Sequence, residues 1–139
     1  MKFKKLENKY IIRLEKGEDI IEKIIELCKS EGIKLGYFNG LGAVSKIEIG
    51  LFEPEGKKYH SNVYDKPMEI SSLHGNITEM DGKCYIHCHG VFGDIDNKCF
   101  SGHVNKATVG PTCEIILIKM DGTVDRYFDE EIGLNLLKL

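Results

Sequence analysis

Residues 84–92 read Cys84-Tyr85-Ile86-His87-Cys88-His89-Gly90-Val91-Phe92, and after a short polar turn the chain returns as Cys99-Phe100-Ser101-Gly102-His103-Val104. Both segments alternate with a period of two, as expected for β-strands that bury one face. The alternation predicts an antiparallel hairpin folded near Ile95, in which Phe92 lies opposite Phe100. In the same register His89 lies opposite His103. A shift of one residue would turn one strand's apolar side chains to the wrong face, so this register is favoured.

The polar face of this hairpin carries three histidines. His87 lies two residues before His89 on the first strand, and directly opposed residues such as His89 and His103 have Cβ atoms about 4.5–5.5 Å apart. Three imidazoles with an open fourth position are typical of a zinc site that accepts a ligand, whereas structural zinc sites usually have four protein ligands. We therefore predict a divalent metal, with zinc as the first choice, bound by His87, His89 and His103. A solvated polar strand face is the alternative.

Neighbouring residues are assigned by the same alternation. Cys88 faces the core and is interpreted as a small buried hydrophobic residue. Asn105 lies opposite His87 in the extrapolated register and is a candidate to orient that imidazole. A cysteine nucleophile is a weaker hypothesis, because Cys88 lies on the wrong face and Cys99 lies near the turn.

Length and composition limit the class of protein. A chain of 139 residues with 42% hydrophobic residues fits one domain, residues 1–139, with its own core. The net charge is −3 and Arg13 and Arg126 are the only arginines, which argues against a surface that reads nucleic acid. Five cysteines without a CxxC pair suggest a reducing, cytoplasmic location. No stretch approaches the ~20 apolar residues of a membrane helix.

The pattern along the chain favours an α+β fold, a mostly antiparallel sheet with one long helix packed on it. The helix begins after the acidic pair Glu18-Asp19 and ends at Gly32. Gly40 and Gly42 indicate a bulge rather than a phosphate-binding loop. Strands are predicted at residues 10–14, 45–53, 57–65, 68–78, 113–120 and 123–128. Residues 106–112 are predicted to form a loop, and residues 132–139 a short apolar helix docked on the body or on a neighbouring subunit.

The order of several motifs resembles the plants-and-prokaryotes-conserved (PPC) domain family. The likeness extends over nearly the whole chain, from about Tyr10 to Phe128. The segments that carry it are Arg13-Leu14, Gly17-Glu18, Gly40-Leu41-Gly42-Ala43-Val44, Met68-Glu69-Ile70-Ser71-Ser72-Leu73-His74-Gly75, His87-Cys88-His89, Gly102-His103 and Cys113-Glu114.

The resemblance implies a homotrimer and, in microbial members, a metal held by the residues that match His87, His89 and His103. Members are commonly labelled as DNA-binding or regulatory proteins. The plant relatives contact A·T-rich DNA largely through an Arg-Gly-Arg-Pro segment, and this chain has no such segment. His74 replaces a small residue of the family pattern and would add a fourth imidazole near the site. Ser101 replaces a glycine before Gly102-His103, which is expected to change little.

Two functions follow as hypotheses. The first is a trimeric zinc-binding regulatory protein that carries the DNA-binding label. Its net negative charge opposes contact with DNA, although Lys2, Lys4, Lys5 and Lys9 would form a local basic patch. The second is a zinc-dependent hydrolase or lyase, in which the metal lowers the pKa of bound water to about 7. Glu69 and Glu114 are the candidate catalytic carboxylates. In both cases an unidentified small molecule is expected at the metal.

Overall fold

The computed structural model describes residues 1–139 and contains eight strands and one helix. Six strands form one sheet in the order β1-β2-β6-β3-β4-β5, and the last two form a separate sheet. All strand pairings are antiparallel, which confirms the predicted α+β class with a mostly antiparallel sheet. The elements are β1 (Lys2–Leu6), β2 (Lys9–Glu15), α1 (Ile20–Glu31), β3 (Gly36–Glu53), β4 (Lys58–Met80), β5 (Lys83–Gly93), β6 (Cys99–Lys119), β7 (Asp125–Asp129) and β8 (Leu134–Lys138).

The four long strands pair in a ring. β3 pairs with β4, β4 with β5, β5 with the first part of β6, and β6 with β3. The sheet therefore closes on itself at the β5–β6 hairpin. One face contributes to a core of 24 buried residues, among them Ile47, Phe92 and Val104. The opposite face of the hairpin is left free to carry polar side chains.

The β5–β6 hairpin has the register that the sequence predicts. Phe92 pairs with Phe100, and His89 pairs with His103. Phe92 is completely buried and Cys88 is 1% exposed, so the apolar residues of β5 anchor the strand to the core. Since side chains alternate across the pleat, this anchoring fixes which side chains face outward.

The turn between β5 and β6 is held by the carboxylate of Asp94. Its Oδ1 accepts hydrogen bonds from the backbone N–H groups of Asp96 and Lys98, each 3.0 Å long. Its Oδ2 lies 2.8 Å from Nζ of Lys66 on β4. These contacts fix the turn near Ile95, as predicted.

The single helix is short. It spans 12 residues, so the prediction of one long helix is wrong. The Asp19 carboxylate caps its first turn by accepting from the Glu22 N–H, and Gly32 ends it in the left-handed conformation at φ 60°. These two caps limit the helix to about three turns, while its apolar side chains still cover one face of the sheet. The buried helix residues are Ile20, Ile24, Leu27 and Cys28.

Proline does not break the long strands. The segments 57–65 and 68–78 were predicted as two strands, but a single strand, β4, runs through both. Within β4, Pro67 lies opposite a register shift between Val44 and Lys46 of β3. Residues 106–112, predicted as a loop, lie within β6, and Pro111 lies near the shift between Gly42 and Val44. A proline has no N–H to donate, so it is tolerated where the ladder is already interrupted.

The C-terminal segment is a strand and not a helix. Residues Leu134–Lys138 form β8, which pairs along its whole length with β7. The predicted helix is wrong because a segment this short is too weak a helix on its own, and the neighbouring strand supplies its backbone hydrogen bonds instead. The resulting β7–β8 hairpin lies beside the histidine-bearing face of the sheet.

The buried core makes a quantitative prediction. Ile47→Ala is expected to lower the free energy of unfolding by about 2–5 kcal/mol, because Ile47 is 0% exposed and the truncation leaves a cavity. Ile95→Ala removes the same atoms from a side chain that is 96% exposed and is expected to change stability by no more than about 0.5 kcal/mol. Urea unfolding measures both; equal losses would contradict the assignment of the core.

Candidate metal centre

Two adjacent strands place the three histidines on one face of the sheet. His89 of β5 is directly paired with His103 of β6, and His87 precedes His89 by two residues on the same face. Cys88, between His87 and His89, and Val104, next to His103, point inward and are buried. The imidazoles therefore share the outer face because their neighbours are held in the core.

The three imidazoles form a compact cluster. Their ring centroids are 5.0 Å apart for His87 and His89, 5.3 Å for His87 and His103, and 5.6 Å for His89 and His103. One ring nitrogen of each lies within 4.8 Å of the others. No other group of three histidine, cysteine or carboxylate side chains in the chain comes together in this way.

The remaining histidines lie outside the cluster. His74 pairs with His89 across β4 and β5, and their ring centroids are 6.5 Å apart. It is a neighbour of the three imidazoles, in keeping with the predicted position near the site, but it is not part of the group. His60 lies instead 3.2 Å from a carboxylate oxygen of Glu53.

Tyr59 packs against the cluster, and its position requires a glycine at residue 50 beside it. Its ring meets that of His103 edge to face at 6.2 Å. Gly50 is paired with His103, and a Cβ at Gly50 would come within 2.3 Å of the Tyr59 hydroxyl oxygen. The Tyr59 hydroxyl donates to Oδ1 of Asn105 at 2.9 Å. Asn105 therefore holds Tyr59, and the predicted pairing with His87 is not observed, since the β5–β6 ladder ends at His89 and His103.

The surroundings disfavour the protonated form of two of these imidazoles, those of His87 and His103. Partial burial lowers the pKa of His87 to about 4, with further contributions from His103, His89 and Arg126. Burial also lowers the pKa of His103, assisted by His89. A neutral imidazole is the form that binds a metal, so these two side chains have no proton to lose at neutral pH.

The cluster lies on the wall of a groove of about 1100 Å³. The β7–β8 hairpin forms part of the groove through Arg126 and residues 134–137. No aspartate or glutamate lines it. The other polar side chains around the histidines are Tyr59, His74, Asn76, Tyr85, Ser101, Asn105, Arg126 and Asn135.

The two candidate carboxylates are placed elsewhere. Glu114 lines a second groove, of about 620 Å³, together with Arg13. Glu69 pairs with Gly93, which is four residues along β5 from His89 and therefore about 13 Å from it. The structure thus does not bring either carboxylate to the histidines.

Arg126 and the two tyrosines of the groove were not assigned to the site from the sequence. Tyr85 had a readable signal, because it shares the strand face of His87 and His89. Tyr59 and Arg126 had none, since each reaches the groove from a strand distant in sequence. Arg126 was notable only as one of two arginines.

The cluster suits a small divalent metal such as zinc. Zn–N distances of about 2.0–2.1 Å in a tetrahedral site place ligand nitrogens about 3.3 Å apart. The three nitrogens lie within 4.8 Å of one another, so modest rotation of the rings would bring them to that spacing. Three histidine nitrogens are also a donor set that zinc accepts.

The closed antiparallel sheet and the clustered imidazoles define a small β-rich protein with a candidate mononuclear metal centre. The chain belongs to the Plants and Prokaryotes Conserved (PCC) domain family, whose model matches residues 1–121. The resemblance noted in the sequence is therefore confirmed. No curated protein of established function matches the chain. No helix is long and apolar enough to cross a membrane.

Solved structures agree with this assignment. A candidate DNA-binding protein from Bacteroides thetaiotaomicron is 31% identical, with a TM-score of 0.96 over 99% of this chain and 96% of its own. A metal-containing protein from Archaeoglobus fulgidus is 32% identical, with a TM-score of 0.90 and complete coverage of both chains. A plant- and prokaryote-conserved protein from Pyrococcus horikoshii is 31% identical, with a TM-score of 0.89 over 99% and 95%.

The lowered pKa of His87 predicts how the metal-free protein responds to acid. The ordinary pKa is near 6.5 and the folded value is about 4, so below pH 6.5 the unfolded chain takes up a proton that the folded chain resists. The free energy of unfolding is therefore expected to fall between pH 6.5 and 4, and His87→Gln is expected to reduce that fall. Urea titrations at several pH values measure it.

The matched control is His60→Gln, which changes an exposed histidine outside the cluster. A slope that His87→Gln and His60→Gln reduce equally would contradict the assigned origin of the effect.

Proposed function

We propose that this protein is a trimeric zinc-binding member of the PCC domain family whose metal accepts a small-molecule ligand. The observation that supports the proposal best is the cluster of His87, His89 and His103, with ring nitrogens within 4.8 Å, on the wall of a large groove. The metal-containing relative from Archaeoglobus fulgidus, 32% identical over its whole length, adds support.

The number of donors favours a ligand-accepting metal over a structural one. Structural zinc sites are normally closed by four protein ligands, whereas three histidines leave a position for a further molecule. His74 is the nearest additional imidazole, but its ring centroid is 6.5 Å from that of His89. The groove gives a ligand access to the open side. Bound there, zinc would supply a Lewis acid that polarises an oxygen of the ligand.

The groove is less well equipped for hydrolysis. General-base catalysis by a carboxylate requires that group within hydrogen-bond reach of the reacting proton. No carboxylate lines the groove, and Glu69 and Glu114 lie elsewhere. A zinc-dependent hydrolase or lyase would have to use His74 or a tyrosine for proton transfer. Ligand binding is therefore the function that we favour over catalysis.

An exposed apolar surface supports assembly into a trimer. On the face of the sheet opposite the helix, Ile11, Ile116 and Leu41 line the second groove, and they are 45%, 48% and 60% exposed. Large side chains exposed together on one surface are typical of an interface. The family resemblance implies three copies, and we propose that this surface, named the apolar patch, lies between them.

DNA binding is not part of the proposal. The similar structure from Bacteroides thetaiotaomicron is described as a candidate DNA-binding protein, but the charges of this chain do not favour a phosphate backbone. The net charge is −3, and two lysines of the N-terminal basic segment are already paired with acids. Lys2 lies 3.3 Å from Glu15, and Lys5 lies 2.9 Å from Glu31. Salt-dependent binding of random duplex DNA by the purified protein would instead support DNA binding.

The metal proposal predicts that removing two of the histidines abolishes zinc binding without unfolding the protein. The double variant His89→Ala/His103→Ala is expected to lose stoichiometric zinc and stay folded, because both side chains face outward and the buried side chains of β5 and β6 are unchanged. Native mass spectrometry of protein supplied with zinc measures the content, and circular dichroism checks the fold. His60→Ala serves as the control and is expected to keep one zinc per chain. Retention of zinc by the double variant would refute the site.

The assembly is tested on the apolar patch. Ile116→Lys is expected to shift the native mass from about three times the 15.7 kDa chain to a single chain, because a buried lysine without a partner is costly. Ile95→Lys, at the exposed turn of β5 and β6, is the control and is expected to keep the trimer. A trimer that survives Ile116→Lys would place the interface elsewhere.

A further inference from the structure

The groove contains a buried positive charge that no acid neutralises. Arg126 of β7 is only 7% exposed. The Asp125 carboxylate accepts from its backbone N–H, but no carboxylate lies within ion-pair distance of the guanidinium. Burial lowers its pKa, and the only opposing influence comes from Tyr85. A guanidinium stays charged in a protein, so this mostly buried charge has no acidic partner within the chain. Such a charge is costly unless something compensates it.

The contacts of Arg126 hold it in place but leave one end free. Its Nε donates to Oγ1 of Thr78 at 2.8 Å, and Nη1 donates to the backbone carbonyl of Asn135 at 2.8 Å. The guanidinium lies over the ring of Tyr85, 4.6 Å from its centroid. Nη2 makes no hydrogen bond within the chain. Every buried polar side-chain atom has a hydrogen-bond partner, so Nη2 is not buried and is accessible from the groove that Arg126 lines.

The supporting residues are themselves fixed. Nδ2 of Asn135 donates to the Tyr85 hydroxyl at 3.3 Å, and the Thr78 hydroxyl donates to the backbone carbonyl of Tyr85 at 3.5 Å. The Arg126 guanidinium is therefore held between β4, β5 and β8 by contacts with neutral groups only. This arrangement holds a cation on the wall of the groove with Nη2 free to donate, and a charged N–H donor of this kind is what the oxygens of a carboxylate or phosphate accept from.

The guanidinium lies close to the histidine cluster. Tyr85, on which it stacks, precedes His87 by two residues on the same strand face, a spacing of about 6.6 Å. Both Arg126 and His87 line the same groove. An anion held by Arg126 would therefore lie beside a metal held by the three imidazoles.

We propose that Arg126 is an anion-binding subsite, and that the ligand of the metal centre is a small organic acid whose carboxylate or phosphate binds this guanidinium. A second oxygen of the ligand, roughly 5–8 Å from the first anionic group, reaches the metal. The absence of acidic side chains from the groove fits an anionic ligand, which would meet no like charge there. The bridging geometry rests on the proposed metal site, but the anion subsite does not.

The alternative is that Arg126 serves only to attach the β7–β8 hairpin to the sheet. A purely structural arginine would not respond to an added anion. The first experiment therefore needs no substitution and no metal. Arg13 and Arg126 are the only arginines, so the two side-chain Nε–H resonances of ¹⁵N-labelled protein are readily assigned.

Inorganic phosphate is titrated into the metal-free protein. The Arg126 Nε–H resonance is expected to shift along a saturating curve, while that of Arg13, which lines the other groove and lies outside this one, stays nearly constant. Equal, non-saturating shifts of both resonances, or no shift of Arg126, would overturn the subsite. Because no metal is present, this result is independent of whether the protein binds zinc.

The second experiment compares succinate with monomethyl succinate on the zinc-loaded protein by calorimetry. Succinate is expected to bind more tightly, and Arg126→Met is expected to weaken succinate about tenfold or more, in line with the loss of a charge-assisted hydrogen bond. Arg13→Met makes the same chemical change on the other groove, and protein of unchanged native mass is expected to keep the full affinity for succinate. Arg126→Lys keeps the charge without the planar fork and is expected to fall between.

The outcomes separate the two proposals. If zinc binds and Arg126→Met takes up succinate as tightly as the unaltered protein, the anion subsite is wrong and the metal centre stands. If the protein binds no zinc but Arg126 responds to phosphate, the metal centre is wrong and the subsite stands. Unchanged zinc content in Arg126→Met shows that weaker succinate binding does not come from unfolding.

Discussion

The pairing of β5 with β6 is the contact on which the rest of this structure depends. It closes the ring of long strands, buries Phe92, and sets His89 directly opposite His103. A ladder shifted by one residue would bury the imidazoles and expose the core. The packing energy of the inner face therefore also enforces the geometry of the outer face. Asp94 supports the same register from the turn, where it holds the backbone of the two residues that redirect the chain.

The sequence predicts this hairpin well because two independent patterns coincide there. The apolar alternation of residues 84–92 matches that of residues 99–104, and only one register satisfies both. Such information is local, since the strands are joined by a short turn. The histidine cluster could be found for the same reason. The helix boundaries were also readable from Asp19 and Gly32, and only the description of the helix as long was wrong, since the 12 residues between these caps make about three turns.

The errors arise where pairing between distant segments overrides a local signal. Pro67 and Pro111 each suggest a break, yet both fall at interruptions of the ladder that only the neighbouring strand creates. The apolar C-terminal residues have no periodicity that separates a helix from a strand, and β7 decides the outcome. Arg126 could not be assigned to the site, because its burial depends on Thr78, Tyr85 and Asn135, which are far from it in sequence or across a turn.

The groove is assembled from two separable parts of the chain. The match to the family model ends at residue 121, whereas the β7–β8 hairpin begins at Asp125. The three imidazoles thus come from the residues that the family model matches, and one wall of the groove comes from the hairpin that follows. Changes in this short hairpin would alter what fits beside the imidazoles without disturbing the strands that hold them.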